Sequence, residues 1–280
     1  MRNKIFNISI SFLLILFSFF YTNKIIKISR NNDPIMIEII KYDDLLKDTK
    51  SEAILINNNI IPGIKGEKIN VDKSYSNMKK VGKFDKNLLV FEETIPTNSI
   101  NNNYENFIIS GNKSKNNVSI IVELKDTNYV EELLAILNKK NIQATFFIEK
   151  ELFDNSIDLV KLIKSYGNDI ELYSNKYSIY EVNKYNSILK LVSEDKLFFC
   201  INKDKNEEML KNCETSKLYT IVPSITPLNY LYNSVKNNLE NGSIISITNN
   251  KATINELSST INYIQQKGKK IVLLKNLIEE

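Results

Sequence analysis

The chain has 280 residues, of which 42% are hydrophobic and 25% are charged, with a formal net charge of +4. These values exclude a disordered chain and indicate one large globular domain or a domain with a smaller partner. The basic residues form no block of the kind that marks nucleic-acid binding. The chain has no histidine, which excludes every mechanism that needs an imidazole base, nucleophile partner or metal ligand.

The N-terminus carries the first predicted element. Arg2 and Lys4 precede IFNISISFLLILFSFFY, about 17 apolar or small residues that fit a signal sequence or a short membrane span. No small-residue cleavage site and no lipid-accepting cysteine follow the run. We therefore predict an uncleaved single-span anchor within residues 1–30, with cleavage at an atypical site as the alternative. Basic residues flank both ends, so charge does not set the orientation.

A small α+β domain is predicted over residues 35–95. Its segments IMIEII and NLLVFEE have the composition of strands, and IIPGIKGEK between them is predicted as a turn. The segment VDKSYSNMKKVG is predicted as a short helix, opened by Asp72 and closed by Gly82. Residues 96–117 are rich in Asn and Ser and are predicted as a linker.

From residue 118 onward, short apolar runs alternate with longer amphipathic ones. The predicted strands are VSIIV, ATFFI, DIELY, LFFCI, LYTIV, SIISI and KIVLL. Helical spacing of apolar residues separates them, first at Val130, Leu133, Leu134 and Leu137 and later at Ile254, Leu257, Ile261 and Ile264. Asn141, Gly167 and Gly268 stand where left-handed helix caps are expected. Repeated strand–helix alternation predicts a parallel sheet, open or closed into a barrel.

In parallel α/β folds, the chemistry lies at the C-terminal ends of the strands. The residues predicted at these ends are Glu123, Leu124, Asp126, Glu149, Tyr173, Tyr177, Thr248 and Asn249. Any one of them taken alone is more simply an ordinary loop residue.

At this point the sequence resembles the polysaccharide deacetylase family, also called the NodB-homology domain, over about residues 115–280. The segments that carry the likeness are VEELLAILNKKNIQATFFI, LVKLIKSYGNDIELYSNKYS, NGSIISITNN and INYIQQKGKKIVLLKNLIEE. The resemblance implies a distorted (β/α) barrel, preceded here by the α+β domain and the anchor. It also implies metal-dependent hydrolysis of N-acetylated polysaccharide, in which the metal activates water and polarises the acetamide carbonyl.

The family's functional motifs are replaced in this chain. Glu123 stands at the position of the catalytic base and Leu124 at that of a metal-binding carboxylate. Tyr173 and Tyr177 keep the four-residue spacing of the metal-binding histidines, and Thr248 replaces the last histidine. The stretch FCINKD lacks the family's arginine and prolines. A neutral phenol is a poor ligand for a divalent metal near pH 7, so we predict no catalytic residue, no metal and no cofactor.

Two other chemistries stay open. A substitute metal site could be built from Glu123, Asp126, Asp169 and Glu171, because hard cations accept oxygen ligands. Cys200 and Cys213 could pair as a disulfide outside the cytoplasm or remain ordinary apolar residues inside it. Nucleophilic catalysis by either cysteine is a weaker alternative than the metal site, because the chain has no histidine to activate a thiol.

The functional prediction is a catalytically inactive, deacetylase-like protein of the cell envelope. It is expected to be single-pass in the cell membrane with its main domain, residues 118–280, outside the cytoplasm. Its former active-site groove, at Glu123, Leu124, Tyr173, Tyr177 and Thr248, is expected to bind glycan or peptidoglycan, since tyrosine can stack on a sugar and hydrogen-bond to it. The alternatives are a structural or protein-interaction module of the envelope, and a residual deacetylase with an unrecognised site.

Overall fold

The computed structural model describes residues 2–46 and 49–280, and in residues 2–13, 16 and 23 it describes the backbone alone. The chain forms two compact units. Unit 1 comprises residues 1–50 and 65–94, and unit 2 comprises residues 51–64 and 95–280. The stretch 51–64, which the sequence placed in the small domain, therefore packs within unit 2.

Strands and helices are numbered along the chain. The strands are β1 Ile54–Ile56, β2 Asn59–Ile61, β3 Gly66–Ile69, β4 Phe91–Thr94, β5 Phe107–Ile108, β6 Asn117–Leu124, β7 Thr145–Glu149, β8 Asp169–Tyr173, β9 Phe199–Ile201, β10 Tyr219–Ile221, β11 Ile244–Thr248 and β12 Lys270–Ile271. The helices are α1 Arg2–Asn31, α2 Pro34–Leu46, α3 Val71–Val81, α4 Val130–Lys139, α5 Lys150–Asn155, α6 Ile157–Ser165, α7 Ile179–Leu189, α8 Glu207–Thr215, α9 Leu231–Asn238, α10 Lys251–Gln266 and α11 Leu274–Ile278. Short 3-10 helices occupy Lys86–Leu88 and Ile100–Asn102.

Unit 1 contains α1, α2, α3 and the antiparallel pair β3 and β4. The predicted strand at IMIEII is wrong, because this segment lies in α2 and buries Ile35, Met36 and Ile39 on one helical face. A short apolar run does not by itself distinguish a strand from a buried helix face. The strand predicted at NLLVFEE begins only at Phe91, after the 3-10 helix.

The predicted helix at VDKSYSNMKKVG is confirmed as α3, although its first cap differs from the prediction. The side chain of Asn70, rather than that of Asp72, accepts the hydrogen bond from the Lys73 amide and so caps the helix. Gly82 closes α3 with φ of 79°, the left-handed conformation that glycine adopts without strain.

The predicted membrane anchor falls on α1. Residues 5–13 of its apolar run lie outside the residues whose side chains are described. Within the part of the chain that the structure describes, no helix combines the length and the apolar character needed to span a bilayer.

Unit 2 contains two sheets that together form the wall of a distorted barrel, and all their strand pairs are parallel except the antiparallel pair β1 and β2. One has the order β11-β6-β7-β8, with β12 also paired to β6, and the other has the order β1-β2-β5-β10-β9. A bridge between Ile225 and Ile245 links the segment that follows β10 to β11. The predicted α/β alternation is confirmed, and β5, within the predicted linker, is one of the paired strands.

Helices α4 and α10 of unit 2 pack against the outer face of this wall. The four apolar residues predicted on the first helix are all buried in α4, and Leu257, Ile261 and Ile264 are buried in α10. The three predicted caps are confirmed, since Asn141, Gly167 and Gly268 have φ of 52°, 79° and 71°. The helices thus end where the sequence indicates, and each cap turns the chain back toward the next strand.

A seam between β8 and β9 is closed by side chains instead of a backbone ladder. The Glu171 carboxylate on β8 accepts hydrogen bonds from the amides of Phe198 and Phe199, at 3.0 and 3.1 Å for Oε2. The Tyr177 hydroxyl donates to the Leu172 carbonyl at 2.9 Å and accepts from the Ile201 amide at 3.1 Å. These two side chains provide the partners that a neighbouring strand would otherwise supply.

Cys200 on β9 and Cys213 on α8 are joined by a disulfide, with 6.3 Å between their Cα atoms. The sequence separation of 13 residues gives an expected stabilisation of about 3 kcal/mol in the chain-entropy model.

We expect reduction of the disulfide to lower the free energy of unfolding by about this amount, measured as a shift of the urea midpoint. The variant with both cysteines replaced by alanine should show no response to reductant. An unchanged midpoint in fully reduced protein would contradict the prediction.

Candidate functional site

The candidate site lies at the C-terminal ends of β6 and β11, where a partly exposed lysine pairs with a buried carboxylate. Glu123 on β6 is only 1% exposed. The ammonium of Lys203 lies 2.6 Å from each oxygen of its carboxylate, and Ser246 on β11 donates a further hydrogen bond to Oε1. Both carboxylate oxygens are therefore engaged by donors of the chain itself.

An open cavity of about 590 Å³ adjoins this ion pair. Glu123, Lys203, Ser246, Thr248 and Lys251 contribute to its wall, together with the loop at residues 226–229. Hydroxyl and amide groups alternate there with aliphatic ones, as in a site that binds a small polar molecule. The cavity shows that a ligand-sized space remains at the strand ends.

Two of the predicted groove residues point away from this cavity. Leu124 is buried in the layer between the sheet and its helices, because alternation along β6 directs it opposite to Glu123. Tyr177 is completely buried in the same layer, with its hydroxyl bonded to Leu172 and Ile201 in the seam. Burial raises the pKa of this phenol well above its usual value. The prediction that these two residues line a groove is therefore wrong.

The other predicted positions lie at the strand ends. Tyr173 is half-buried, and burial followed by the charge of Glu123 raises its pKa above the usual value. The Lys125 ammonium lies 5.1 Å from the centre of the Tyr173 ring. Thr248 lines the cavity and accepts a hydrogen bond from the Asn250 amide at 2.7 Å.

Asn249 fixes the loop that follows β6. Its amide nitrogen donates to the carboxylate and carbonyl of Asp126 and to the carbonyl of Asn128, at 2.8 to 3.0 Å. This side chain links the loop after β11 to the loop after β6 and so fixes one edge of the site.

Residues 110–217 match the sequence profile of the polysaccharide deacetylase family. This stretch is similar to polysaccharide deacetylases, and the match covers less than half of the chain. The uncharacterized protein YlxY of Bacillus subtilis (strain 168) is 35% identical over 115 residues, which are 41% of this chain. That alignment spans only 36% of YlxY, about a third of the length of this relative.

Solved structures show the same fold. The wild-type BA3943 of Bacillus anthracis, a CE4 family pseudoenzyme, aligns with a TM-score of 0.67 and 21% identity, covering 89% of this chain and 96% of its own. A BA3943 mutant with restored enzymatic activity also aligns with a TM-score of 0.67, at 22% identity, covering 89% of this chain and 99% of its own. The Bc1960 peptidoglycan N-acetylglucosamine deacetylase aligns with a TM-score of 0.55 and 19% identity, covering 61% of this chain and 92% of its own. At these identities the likeness concerns the fold.

The residues at the strand ends of this deacetylase-like domain do not fit a divalent metal. Leu124 offers no ligand atom, the Tyr177 hydroxyl is bonded within the seam, and Thr248 is a neutral alcohol. Glu123 is the remaining carboxylate of the expected set, and it is already neutralised by Lys203. We therefore derive no catalytic step through a metal.

The substitute carboxylate set is not brought together either. Asp169 pairs with Lys275 at 3.0 Å at the opposite end of β8, Glu171 lies in the seam, and Asp126 is bonded to Asn249. Among the described residues, no three His, Cys, Asp or Glu side chains form a group that could hold a metal.

Sequence reasoning did not single out Lys203, which is the decisive residue of the site. Its position two residues after the predicted strand LFFCI places it near a strand end, and that position is the available signal. Its partner is 80 residues away, so the pairing appears only once the barrel closes.

Replacing Lys203 with methionine is expected to lower the free energy of unfolding by about 2 kcal/mol, because it leaves the buried Glu123 carboxylate without a counter-charge. The loss is below that of a fully buried pair because the Lys203 side chain is 33% exposed. Urea unfolding of the variant and the wild type measures this difference in the free energy of unfolding. The double variant Lys203→Met/Glu123→Gln, which also removes the charge, should recover most of the loss. A double variant as unstable as the single one would contradict this account.

Proposed function

We propose that the deacetylase domain of this chain binds a glycan without hydrolysing it. The observation that carries the proposal is the Lys203 ammonium, 2.6 Å from both oxygens of Glu123. A carboxylate that stands at the base position and is held in this way has no free oxygen with which to take a proton from water. Among the residues that the structure describes, no group of His, Cys, Asp or Glu at this end could hold the metal that the resemblance implies.

Support for glycan binding comes from the remaining cavity and from its neighbours at the strand ends. Thr248 and Asn250 offer hydroxyl and amide groups suited to sugar hydroxyls, and the half-buried Tyr173 offers an aromatic face. Bc1960, one of the proteins with this fold, is a peptidoglycan N-acetylglucosamine deacetylase. A glycan is thus the ligand class that the cavity and the family favour together.

The test uses the full chain, purified in a mild detergent, and a panel of tetramers of N-acetylglucosamine, of glucosamine and of peptidoglycan repeat units. We expect saturable binding to at least one tetramer, weakened by Tyr173→Ala and unaffected by Tyr180→Ala, a change at an exposed tyrosine. We expect no release of acetate, with or without added divalent metals. Acetate release would overturn the proposed inactivity, and an absence of binding across the panel would overturn the proposed glycan site.

The proposal places the domain outside the cytoplasm, attached to the cell membrane by the N-terminal run. The run holds about 17 apolar or small residues. The described side chains of α1 include exposed apolar residues from Leu14 to Ile28, and the Cys200–Cys213 disulfide favours an oxidising compartment. We expect the chain in the membrane fraction of cells, with unit 2 cleaved by protease added from outside. Recovery in the soluble cytoplasmic fraction would overturn this placement.

A protein-interaction module is the second candidate, and the surface of unit 1 favours it. On α2, Ile37, Ile40, Leu45 and Leu46 are exposed apolar residues on a single 13-residue helix. We expect that replacing Ile37 and Ile40 with serine would abolish co-purification of an envelope partner if unit 1 docks one. Unchanged co-purification would leave glycan binding by unit 2 as the supported function.

A further inference from the structure

The Lys203 side chain occupies its end of the cavity as an internal ligand. A primary ammonium on a flexible carbon chain enters from the loop between β9 and α8 and contacts both oxygens of a buried carboxylate. Glu123 therefore presents a preformed receptor for one primary ammonium, with the Ser246 hydroxyl fixing the orientation of its carboxylate.

Lys203 can leave this receptor without unfolding its loop. The loop backbone is held by the Asn202 side chain, whose Nδ2 donates to the Asn206 carbonyl and whose Oδ1 accepts from the Asn206 backbone amide, each at 2.9 Å. The Lys203 side chain is one-third exposed, so water reaches its stem. Rotation of the side chain alone would bring the ammonium out to solvent.

The charges around the receptor favour a cation as its replacement. Tyr173 lies near Glu123. Burial is the main cause of the raised pKa of its hydroxyl, the charges of Glu123, Glu149 and Asp204 raise this pKa further, and the charge of Lys203 lowers it. Once Lys203 has rotated outward, these carboxylates outnumber the nearby ammonium of Lys125. The other cation of the cavity wall, Lys251, is exposed and therefore screened by water.

We infer that the cavity recognises the primary ammonium of a de-N-acetylated amino sugar, which replaces the Lys203 ammonium on Glu123. This inference rests on the proposed glycan binding and names its ligand class. The exchange replaces one ammonium by another at the same carboxylate and conserves its charge pairing. An N-acetylated sugar carries a neutral amide at this position and cannot take part in the exchange. The domain would thus bind the product of a deacetylation reaction rather than its substrate.

The test compares tetramers of glucosamine and of N-acetylglucosamine by titration calorimetry on the full chain at physiological salt. We expect the glucosamine tetramer to bind about tenfold more tightly. Glu123→Gln should remove this preference. Glu132→Gln, which removes the same charge from an exposed position on α4, should keep it. This matched pair separates the receptor from general attraction between a cationic glycan and the protein.

A second variant tests the exchange itself. Lys203→Met removes the internal competitor and should tighten binding of the glucosamine tetramer about tenfold, with no change for the N-acetylated one. Thermal unfolding first shows whether the Lys203→Met variant is folded. If this variant does not fold, the loss of the glucosamine preference in Glu123→Gln tests the inference alone. Equal binding of the two tetramers would overturn the inference and leave the proposed glycan binding intact. Binding of neither would overturn the inference, and it would overturn the proposed glycan binding as well if the peptidoglycan tetramer also failed to bind.

Discussion

Replacing Tyr177 with alanine is expected to lower the free energy of unfolding by about 5 kcal/mol. The ring of Tyr177 is completely buried, so its loss leaves a cavity between the sheet and the helices. The hydroxyl bridges the Leu172 carbonyl and the Ile201 amide across the seam, so its loss also leaves both groups without a partner. Chemical denaturation of the purified protein measures the combined effect.

Two further variants separate the ring from the hydroxyl. Tyr177→Phe keeps the packing and is expected to cost about 2 kcal/mol for the unpaired Ile201 amide and Leu172 carbonyl. Tyr180→Phe removes the same hydroxyl from a side chain that is 79% exposed and is expected to change stability by less than about 0.5 kcal/mol. If Tyr177→Phe were as stable as the wild type, the seam would not depend on this hydroxyl.

Replacing Glu171 with leucine is expected to lower the free energy of unfolding by about 4 kcal/mol at acidic pH. The carboxyl group accepts hydrogen bonds from the Phe198 and Phe199 amides, and leucine offers no acceptor in its place. Glu171→Gln retains an acceptor oxygen and is expected to cost much less. A leucine variant no less stable than the glutamine variant would contradict the assignment of this carboxyl to the seam.

The pH dependence of Glu171→Gln has a defined sign. Burial raises the pKa of the Glu171 carboxyl well above its usual value. The unfolded chain ionises this group near pH 4.3, whereas the folded protein retains the proton to higher pH. The stability that the group contributes is fully present below about pH 4.3 and is lost as pH rises through the raised folded value. Glutamine does not ionise, so the Glu171→Gln variant does not lose this stability as pH rises. Its free energy of unfolding relative to that of the wild type should therefore increase from pH 4 upward. A difference that does not vary with pH would contradict the raised pKa.

The elements with regular patterning could be predicted from the sequence. Alternating strands and helices, the apolar face of α4 and the caps at Asn141, Gly167 and Gly268 depend on neighbours within a few residues. The segment IMIEII could not be assigned, because six mostly apolar residues satisfy a strand and a buried helix face equally well.

The candidate site was predicted in part. Glu123, Tyr173 and Thr248 do lie at the strand ends, because their place in the parallel strands fixes them there. Leu124 and Tyr177 do not face the cavity, because side-chain alternation and the seam direct them elsewhere. The pairing of Lys203 with Glu123 depends on closure of the barrel over 80 residues, which no local pattern encodes.

The Lys203–Glu123 pair also restricts how this chain can change over evolutionary time. A substitution that removes the lysine alone leaves a buried negative charge without its partner, whereas one that removes the glutamate alone lets the one-third exposed lysine turn its ammonium to solvent. The step that loses the lysine first therefore passes through a less stable protein, and the step that loses the glutamate first does not. In descendants of this sequence, loss of the lysine at position 203 should be accompanied by a neutral residue at position 123.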